Sequence, residues 1–339
     1  MSKTIGVGII GCGKITETRH APEYAANATA KIIGYFDFVK ERAEALAARY
    51  GGRVFSSVEE LLACEEIDAV SVCTANATHA RITVDALNAG KHVLCEKPMA
   101  TTPEECEEMV RAARDAGRRL MIAHNQRYMP AHQAARELIA GGAIGRPLSV
   151  TTCFGHSGPD NWSVDPGTGN WFFDKKKSAF GSMADLGVHK IDLVRYLLGC
   201  DMKEATAMIG VLDKRDAAGN PVSVEDHAAA VYRMENGAIV TMTASWTYYG
   251  KENNRTAVYG SEGILEISPE DGTLTLTRKG GEVEHREGLI GKTSGVIDAF
   301  LGAIAENAPS PLDADAILPS MQALFATGKA ADGGRCVAL

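Results

Sequence analysis

The sequence lacks the features that mark several broad classes of protein. Its eight cysteines form no C-x-x-C pair, and it contains no apolar run long enough to span a bilayer. It has no basic block and no stripe of alternating basic and aromatic residues, and its net charge is -8. These absences argue against a disulfide framework, a membrane span, and nucleic acid or an anionic membrane as partners.

The N-terminus also lacks a signal-peptide cleavage pattern, which favours a cytoplasmic protein with free, mostly buried thiols. The 339 residues are 45% hydrophobic and 23% charged, a composition typical of a soluble globular protein of two domains. We find no internal repeat and no low-complexity tract.

The first third of the chain alternates short apolar runs with helical segments that end at glycine. This alternation predicts right-handed βαβ units and a doubly wound parallel sheet over residues 1–123. Residues 124–339 show another pattern, in which strand-like runs are joined by turns such as "ENG" and "EDG". They predict an open, mostly antiparallel sheet with helices on one face, and a long functional loop over about 155–180.

The first predicted strand runs into a glycine loop, "GIIGCGKIT". Gly11 permits a tight turn, and Gly13 lets the backbone approach a pyrophosphate at the N-terminus of the next helix. Thr16 stands where the third glycine of the G-x-G-x-x-G pattern is expected, which weakens the motif. The candidate cofactor-binding residues of this loop are Gly11, Cys12, Gly13, Lys14 and Ile15.

Asp37 ends the second predicted strand, about 20 residues past the glycines, where a carboxylate binds the adenosine ribose hydroxyls. A carboxylate also repels a 2′-phosphate, so Asp37 favours NAD over NADP. Lys40 and Arg42 lie nearby in the sequence and leave dual specificity open.

Polar groups follow three further strands, at the edge of a parallel sheet where ligands bind. "CTANATH" carries Thr74, Asn76 and His79, and "CEKP" carries Glu96 and Lys97. The third such stretch is "AHNQRY" at 123–128. We expect Glu96 and Lys97 to face the cofactor at this edge, because Pro98 turns the chain away from the sheet. A loop or helix-capping role is the alternative for each residue taken alone.

A predicted helix near 183–198 carries a polar stripe on an otherwise apolar surface. Asp185, His189, Asp192 and Tyr196 recur at helical spacing, so the stripe faces either a wet cleft or a structural network. An imidazole with an ordinary pKa of about 6.5 makes His189 a candidate general base.

Taken together, "GIIGCGKI", Asp37, "CTANATHA", "CEKPMATT" and the D-x-G-x-H-x-x-D helix resemble the Gfo/Idh/MocA oxidoreductases. This group contains glucose-fructose oxidoreductase and inositol dehydrogenase, and the resemblance covers essentially the whole chain. It implies a Rossmann domain and a substrate domain that often forms the oligomer interface. It further implies that Lys97 polarises the substrate oxygen, that His189 is the general base, and that Asp185 supports His189.

Two positions depart from the family pattern. Ala75 stands where proline is frequent in a "T-P-N-x-x-H" loop, and Thr16 replaces a small third residue of the glycine loop. All three implied catalytic residues are nevertheless present, so neither departure argues for an inactive enzyme.

The sequence therefore predicts NAD(P)-dependent oxidation of a secondary alcohol on a sugar, cyclitol or sugar derivative. Arg127, Tyr128 and Trp171 are candidate substrate contacts, with interface packing as the alternative. No metal is expected, and the resemblance implies a homodimer or homotetramer. Two other functions stay open: an NAD-dependent glycosidase without net redox change, and a non-catalytic cofactor-binding sensor.

Overall fold

The computed structural model describes residues 4–339, which form two compact units. The first unit comprises the chain up to His124 together with Trp162–Val164 and Thr293–Leu318. The second comprises Asn125–Asn161, Asp165–Lys292 and Pro319–Leu339. Nowhere in the described range does a helix combine the length and the apolar character needed to cross a membrane.

The first unit contains a sheet of six parallel strands in the order β3-β2-β1-β4-β5-β6. Its central strand β1 is buried along its whole length, as expected for a parallel sheet covered on both faces. This strand order is that of a dinucleotide-binding Rossmann sheet and confirms the predicted doubly wound fold. The strands are β1 Ile5–Ile10, β2 Ala30–Phe36, β3 Arg53–Val54, β4 Ala69–Val72, β5 His92–Cys95 and β6 Leu120–Ile122.

Helices connect these strands, and their ends follow from local chemistry. Thr102 caps α5 by accepting a bond from the Glu105 amide at 3.2 Å, while Glu105 accepts from the Thr102 amide at 3.1 Å. Gly117 ends α5 in the left-handed conformation, with φ 58°. The helices are α1 Ala21–Ala26, α2 Lys40–Tyr50, α3 Val58–Leu62, α4 Asn76–Asn88 and α5 Pro103–Ala116.

The sequence predicts one helix over 14–26 and another over 79–89, and the structure differs from both expectations. The predicted helix over 14–26 is interrupted by a π-helical turn, Thr16–His20, which runs directly into α1. Helix α4 begins at Asn76 rather than at His79, because Ala75 already has the extended backbone of an N-cap residue.

The second unit contains a nine-stranded sheet in the order β14-β13-β12-β11-β7-β10-β9-β8-β15. Its pairs are antiparallel apart from β7 with β10, which confirms the predicted mostly antiparallel sheet. The short strands β14 and β15 were not predicted. The strands are β7 Pro147–Gly155, β8 Met202–Gly210, β9 His227–Met234, β10 Ile239–Ser245, β11 Thr256–Gly260, β12 Gly263–Ser268, β13 Thr273–Arg278, β14 Val283–Arg286 and β15 Val337–Ala338.

The remaining helices include several short ones within the predicted long loop. A second π-helical turn, Met183–Gly187, leads directly into α9. The sequence predicts a closing helix over 314–328, and the observed helix begins at the same residue, contains Pro319 and ends later, at Gly333. The helices are α6 Pro130–Ala140, α7 Pro159–Trp162, α8 Lys175–Ser178, α9 Val188–Leu198, α10 Val296–Glu306 and α11 Ala314–Gly333, with 3₁₀ turns at Asn125–Tyr128 and Trp171–Phe173.

Candidate active site

The glycine loop has two glycines that are required for different reasons. Gly11 has φ +94°, and a Cβ built there would lie 2.5 Å from the carbonyl oxygen of Cys73. At Gly13, by contrast, a built Cβ meets no atom of the described residues within 4 Å, apart from its chain neighbours. The backbone at Gly13 is therefore open to close approach by a ligand, which fits the pyrophosphate role predicted for it.

Thr16 explains how the loop manages without a third glycine. Its side chain is fully buried, and its hydroxyl donates to the carbonyl oxygen of Gly11 at 2.6 Å. This bond closes the turn across five residues and begins the π-helical turn Thr16–His20. Lys14 and Ile15 lie between the loop and this turn, and Lys14 is exposed with its ammonium 3.1 Å from Glu17.

Asp37 lies at the carboxyl end of β2, where the sequence places a ribose ligand. One carboxylate oxygen accepts from the Cys12 amide at 2.6 Å, and the other accepts from the Val39 amide at 2.7 Å. A carboxylate offers about four acceptor sites, so Asp37 is held in place and keeps capacity for hydroxyl donors. Together with Gly13, this geometry fits a dinucleotide with free ribose hydroxyls.

The strand-end residues after β4 form a connected group. Thr74 accepts a bond from the Thr78 hydroxyl at 2.7 Å, and Asn76 is the first, buried residue of α4. The ring of His79 is buried, and its nitrogens lie 2.8 Å from the Pro98 carbonyl oxygen and 3.0 Å from that of Thr74. Burial lowers the pKa of His79. His79 therefore joins the loop after β4 to the E-K-P segment.

Glu96 differs from the expectation that it faces the cofactor. Only 5% of the residue is exposed, and its carboxylate lies 2.9 Å from Nε2 of the fully buried His20. Its other oxygen accepts from the Lys97 amide at 3.1 Å. The Lys97 residue itself is half-buried. The two charged residues after β5 therefore have different environments. The Glu96 carboxylate is buried, and it accepts a hydrogen bond from the backbone amide of the half-buried Lys97.

In the second unit, Asp185 lies within the π-helical turn Met183–Gly187 and is 7% exposed. Its carboxylate accepts from the indole Nε1 of Trp246 at 3.0 Å. Nε2 of His156, at the end of β7, lies 3.8 Å from the same carboxylate oxygen. Trp246 is fully buried at the end of β10, so a rigid aromatic donor fixes the orientation of Asp185.

His189 follows Asp185 by four residues, at the start of α9, and is also 7% exposed. The ring of Phe154 packs against it with centroids 5.8 Å apart at a tilt of 53°. The next residue, Lys190, is fully buried and donates to the Asn254 carbonyl oxygen at 3.1 Å. Burial lowers the pKa of Lys190 to about 7.

The remainder of the polar stripe forms a structural network. Asp192 binds the Arg127 guanidinium through both oxygens, at 2.6 and 2.7 Å, and accepts from the Ser320 hydroxyl at 2.8 Å. The guanidinium of Arg127 also lies 5.6 Å from the ring centroid of Tyr196. Arg127 is 8% exposed, so this side chain is largely committed to α9.

The other two predicted substrate contacts are half-buried. Tyr128 ends the 3₁₀ turn before α6, and Trp171 stacks on Phe172 with ring centroids 3.8 Å apart. The sequence interpretation missed the orienting residues His20 and Trp246. The only local signal for His20 was its position, shortly after the glycine loop in the predicted first helix.

Family models match both parts of the chain. The model of the oxidoreductase family with an NAD-binding Rossmann fold matches residues 5–124, and that of the GFO/IDH/MocA C-terminal domain matches residues 132–266. The chain belongs to the Gfo/Idh/MocA family. This confirms the resemblance seen in the sequence.

Curated relatives in the Gfo/Idh/MocA family support the same assignment. The 1,5-anhydro-D-fructose reductase of Ensifer adhaerens is 34% identical over 258 residues, which is 74% of each chain. The levoglucosan dehydrogenase of Pseudarthrobacter phenanthrenivorans is 31% identical over 299 residues, 79% of this chain and 74% of the relative.

A solved structure of levoglucosan dehydrogenase with NADH and levoglucosan superposes with a TM-score of 0.89 at 26% identity, covering 98% of this chain and 99% of that one. These findings confirm the prediction of an NAD(P)-dependent oxidoreductase of this family. The loop and Asp37 described above are the residues that would hold the dinucleotide.

Proposed function

We propose that the protein catalyses reversible hydride transfer between NAD and a secondary alcohol of a sugar, cyclitol or sugar derivative. The observation that carries the proposal is the oriented carboxylate of Asp185 in the second π-helical turn, four residues before His189. Asp185 is fixed by the Trp246 indole at 3.0 Å, one turn before the buried His189. A carboxylate near an imidazole stabilises the imidazolium that forms when the ring accepts a proton, and this is the role that we propose for Asp185.

In this mechanism His189 takes the proton of the substrate hydroxyl. Asp185 stabilises the imidazolium that forms, because its own charge is held by Trp246 and cannot turn away. Lys97 donates a hydrogen bond to the substrate oxygen and stabilises its developing negative charge. When bound, the nicotinamide supplies the hydride acceptor.

The preference for NAD over NADP rests on Asp37, whose charge repels a 2′-phosphate. Two basic residues, Lys40 and Arg42, lie nearby in the sequence. Lys40 pairs with Glu44 at 2.8 Å, but an exposed pair of this kind is weak, so the argument for NAD depends on Asp37 alone. We therefore propose NAD as the physiological cofactor.

Relatives support the substrate class. The named proteins act on anhydrofructose and levoglucosan, which are compact, ring-shaped polyols. Tyr128 and Trp171 are proposed to contact such a ring, since aromatic side chains stack on the apolar face of a sugar. His156, at 3.8 Å from Asp185, is placed to share in binding its hydroxyls.

A second copy of the chain is the proposed protein partner. Alternate residues on the outer face of the second sheet are exposed, among them Met208 at 81%, Val231 at 44% and Tyr259 at 36%. Light scattering of the wild type and of Met208→Asp tests this assembly.

Eight free thiols, four of them buried, suit the reducing cytoplasm in which we propose the protein works.

The function is tested by following NADH formation at 340 nm. NAD and NADP are supplied separately with a panel of inositols, aldoses and anhydrosugars, for the wild type, Lys97→Ala and the control Lys279→Ala. Lys279 is exposed and pairs only loosely with Glu262 at 3.6 Å. We expect NAD turnover in the wild type and the control, and a fall of roughly 10²–10³-fold in kcat/KM for Lys97→Ala.

Two results would contradict the proposal. Release of free sugar from a glycoside by protein that retains NAD, with no redox turnover, would establish a glycosidase. NAD binding with silence in both assays would establish a cofactor-binding sensor.

A further inference from the structure

Glu96 is a buried carboxylate whose cost must be offset by its partners. Burying an ionised carboxylate without partners costs several kcal/mol. Here the two oxygens are used separately: one lies 2.9 Å from Nε2 of His20, and the other accepts from the Lys97 amide at 3.1 Å. The carboxylate therefore joins the first π-helical turn to the peptide from which the Lys97 side chain projects.

His20 is fixed at both ring nitrogens. It ends the π-helical turn and is fully buried, with Nδ1 lying 3.1 Å from the Ser71 hydroxyl on β4. The Ser71 oxygen lies in turn 2.9 Å from the phenol oxygen of Tyr24. Tyr24 and Ser71 are also fully buried, so bulk water does not compete for these bonds.

One arrangement of protons satisfies the whole chain of contacts. A carboxylate only accepts, so Nε2 of His20 carries a hydrogen and donates to Glu96. Burial raises the pKa of Tyr24, so its phenol keeps its proton and donates to Ser71. Ser71 then donates to Nδ1 of His20.

We propose that His20 is a positioning residue for the reaction: by holding the Glu96 carboxylate, it fixes the peptide of Lys97 and so the origin of the catalytic lysine side chain. This inference rests on the proposed role of Lys97. Misplacement of a catalytic group by about 1 Å costs on the order of 10²-fold in rate, which is why such a device matters.

The electrostatics agree with this geometry. Burial acts to raise the pKa of Glu96, but the hydrogen bond from His20, together with the nearby charges of Arg19 and Lys97, helps to lower that pKa. The ionisable groups that interact with Glu96 are His20, Arg19, Lys97, Cys73, Cys95 and His79. The cysteines are buried thiols whose pKa is raised, so they stay neutral beside the carboxylate.

Two amide substitutions separate positioning from simple stability. His20→Gln places its side-chain nitrogen near the former Nε2 and can keep the bond to Glu96. His20→Asn is one methylene shorter and can keep only the bond to Ser71. Tyr24→Phe is the control, because it removes a buried hydroxyl from the far end of the network and leaves Glu96 in contact with His20.

The first readout does not depend on enzymatic activity. Lysines are reductively methylated with ¹³C, and the Lys97 signal is assigned from its loss in Lys97→Arg. We expect the signal to keep its position in His20→Gln and Tyr24→Phe and to shift in His20→Asn. An unmoved Lys97 signal in folded His20→Asn would overturn the inference, even if the wild type proved inactive with every sugar and the proposed function had failed.

The second readout is kinetic. We expect kcat of His20→Asn to fall about 10–100-fold, with KM for NAD within twofold and with His20→Gln restoring most of the rate. The acid limb of its kcat profile should move to higher pH, because Glu96 has lost its donor, and this shift should be absent in the double variant with Glu96→Gln. The inference would be overturned if the loss of kcat in each of the three single variants simply followed its loss of melting temperature, because the network would then act on stability alone.

Discussion

The two π-helical turns, Thr16–His20 and Met183–Gly187, use the same local device in different ways. Each turn closes with an amide bonded to the carbonyl oxygen five residues earlier, from Ala21 to Thr16 and from Val188 to Met183, and each runs straight into an α-helix. The wider turn rotates the following residues relative to a continuous α-helix, and such turns recur at functional sites.

The difference lies in what each turn orients. The first ends in His20, which contacts the carboxylate of Glu96 at the end of β5. Through that carboxylate, His20 is linked to the backbone amide of Lys97. The second contains the carboxylate itself, Asp185, which an indole fixes one turn before His189. Its entrance is also capped, since Glu225 accepts from the Gly181 and Met183 amides at 2.8 and 3.0 Å.

This comparison teaches that a π-helical turn can orient a site residue that lies on the turn itself or one that lies far away along the chain. A site residue that lies on the turn is oriented directly and leaves a short sequence motif. A site residue far along the chain is oriented through a buried relay, and the relay leaves no local motif. Substitutions at the two turns should therefore differ in size and in kind.

The largest effect is expected from Asp185→Asn. The amide keeps the shape and can still accept from Trp246, but it removes the negative charge that we propose stabilises an imidazolium at His189. We expect kcat to fall by about 10²–10⁴-fold with little change in KM for NAD. Steady-state kinetics and cofactor titration test this, and a kcat within threefold of wild type would remove Asp185 from the mechanism.

A smaller effect is expected from Trp246→Phe, which removes the indole donor and leaves the charge. We expect about a tenfold lower kcat and a loss of about 1–3 kcal/mol in the free energy of unfolding. Phe173→Leu is the matched control, because Phe173 packs edge-on against Trp246 at 5.2 Å and makes no bond to Asp185. Equal kcat values in the two variants would mean that packing, rather than the indole bond, orients the carboxylate.

The smallest effect is a pair of opposite pH dependences of stability. The pKa of Glu96 is lowered, so Glu96 stabilises the fold above its unfolded pKa of about 4.5, and this contribution declines as pH falls toward the lower folded pKa. Burial raises the pKa of Glu225, so its contribution is complete below about pH 4.5 and is lost as pH rises through the folded pKa.

Melting temperatures between about pH 2 and pH 7 test this pair in Glu96→Gln and Glu225→Gln, because the contribution of Glu96 changes only below about pH 4.5. Relative to wild type, Glu96→Gln should lose most at neutral pH, and its deficit should narrow in acid. The melting temperature of Glu225→Gln should increase relative to that of the wild type as pH rises. Parallel curves for the two variants would contradict the contrast between the turns.

The main elements of the fold could be predicted because their signals are local. Alternating strands and helices with glycine ends gave the Rossmann sheet, and the hairpin turns "ENG" and "EDG" gave the second sheet. The sequence predicts a helix from Pro103 to Ala116 that is ended by Gly117, and α5 has these bounds, since its capping residues lie only three positions apart. Asp185 and His189 could be proposed as site residues for the same reason, because they form a motif within five residues.

What escaped prediction depends on contacts between distant segments. Glu96 was expected at the surface of the cofactor site, and its inward position follows from His20, 76 residues earlier. Arg127 was proposed as a substrate contact, yet its guanidinium is held by Asp192, 65 residues away. The strands β14 and β15 are short, and they are strands only because a neighbouring strand edge accepts them.

The parallel pairing of β7 with β10 also bears on how the protein is made. On one side β7 pairs with β11, where the hydroxyls of Thr152 and Thr256 lie 2.7 Å apart across a separation of 104 residues. On the other side it pairs with β10, which Trp246 follows directly. Because closing such long loops is slow, β7 must wait for both of its neighbours during synthesis. A nascent chain emerging from the ribosome thus contains Asp185 before it contains Trp246, and the bond by which the indole orients that carboxylate can form only after β10 has been synthesised.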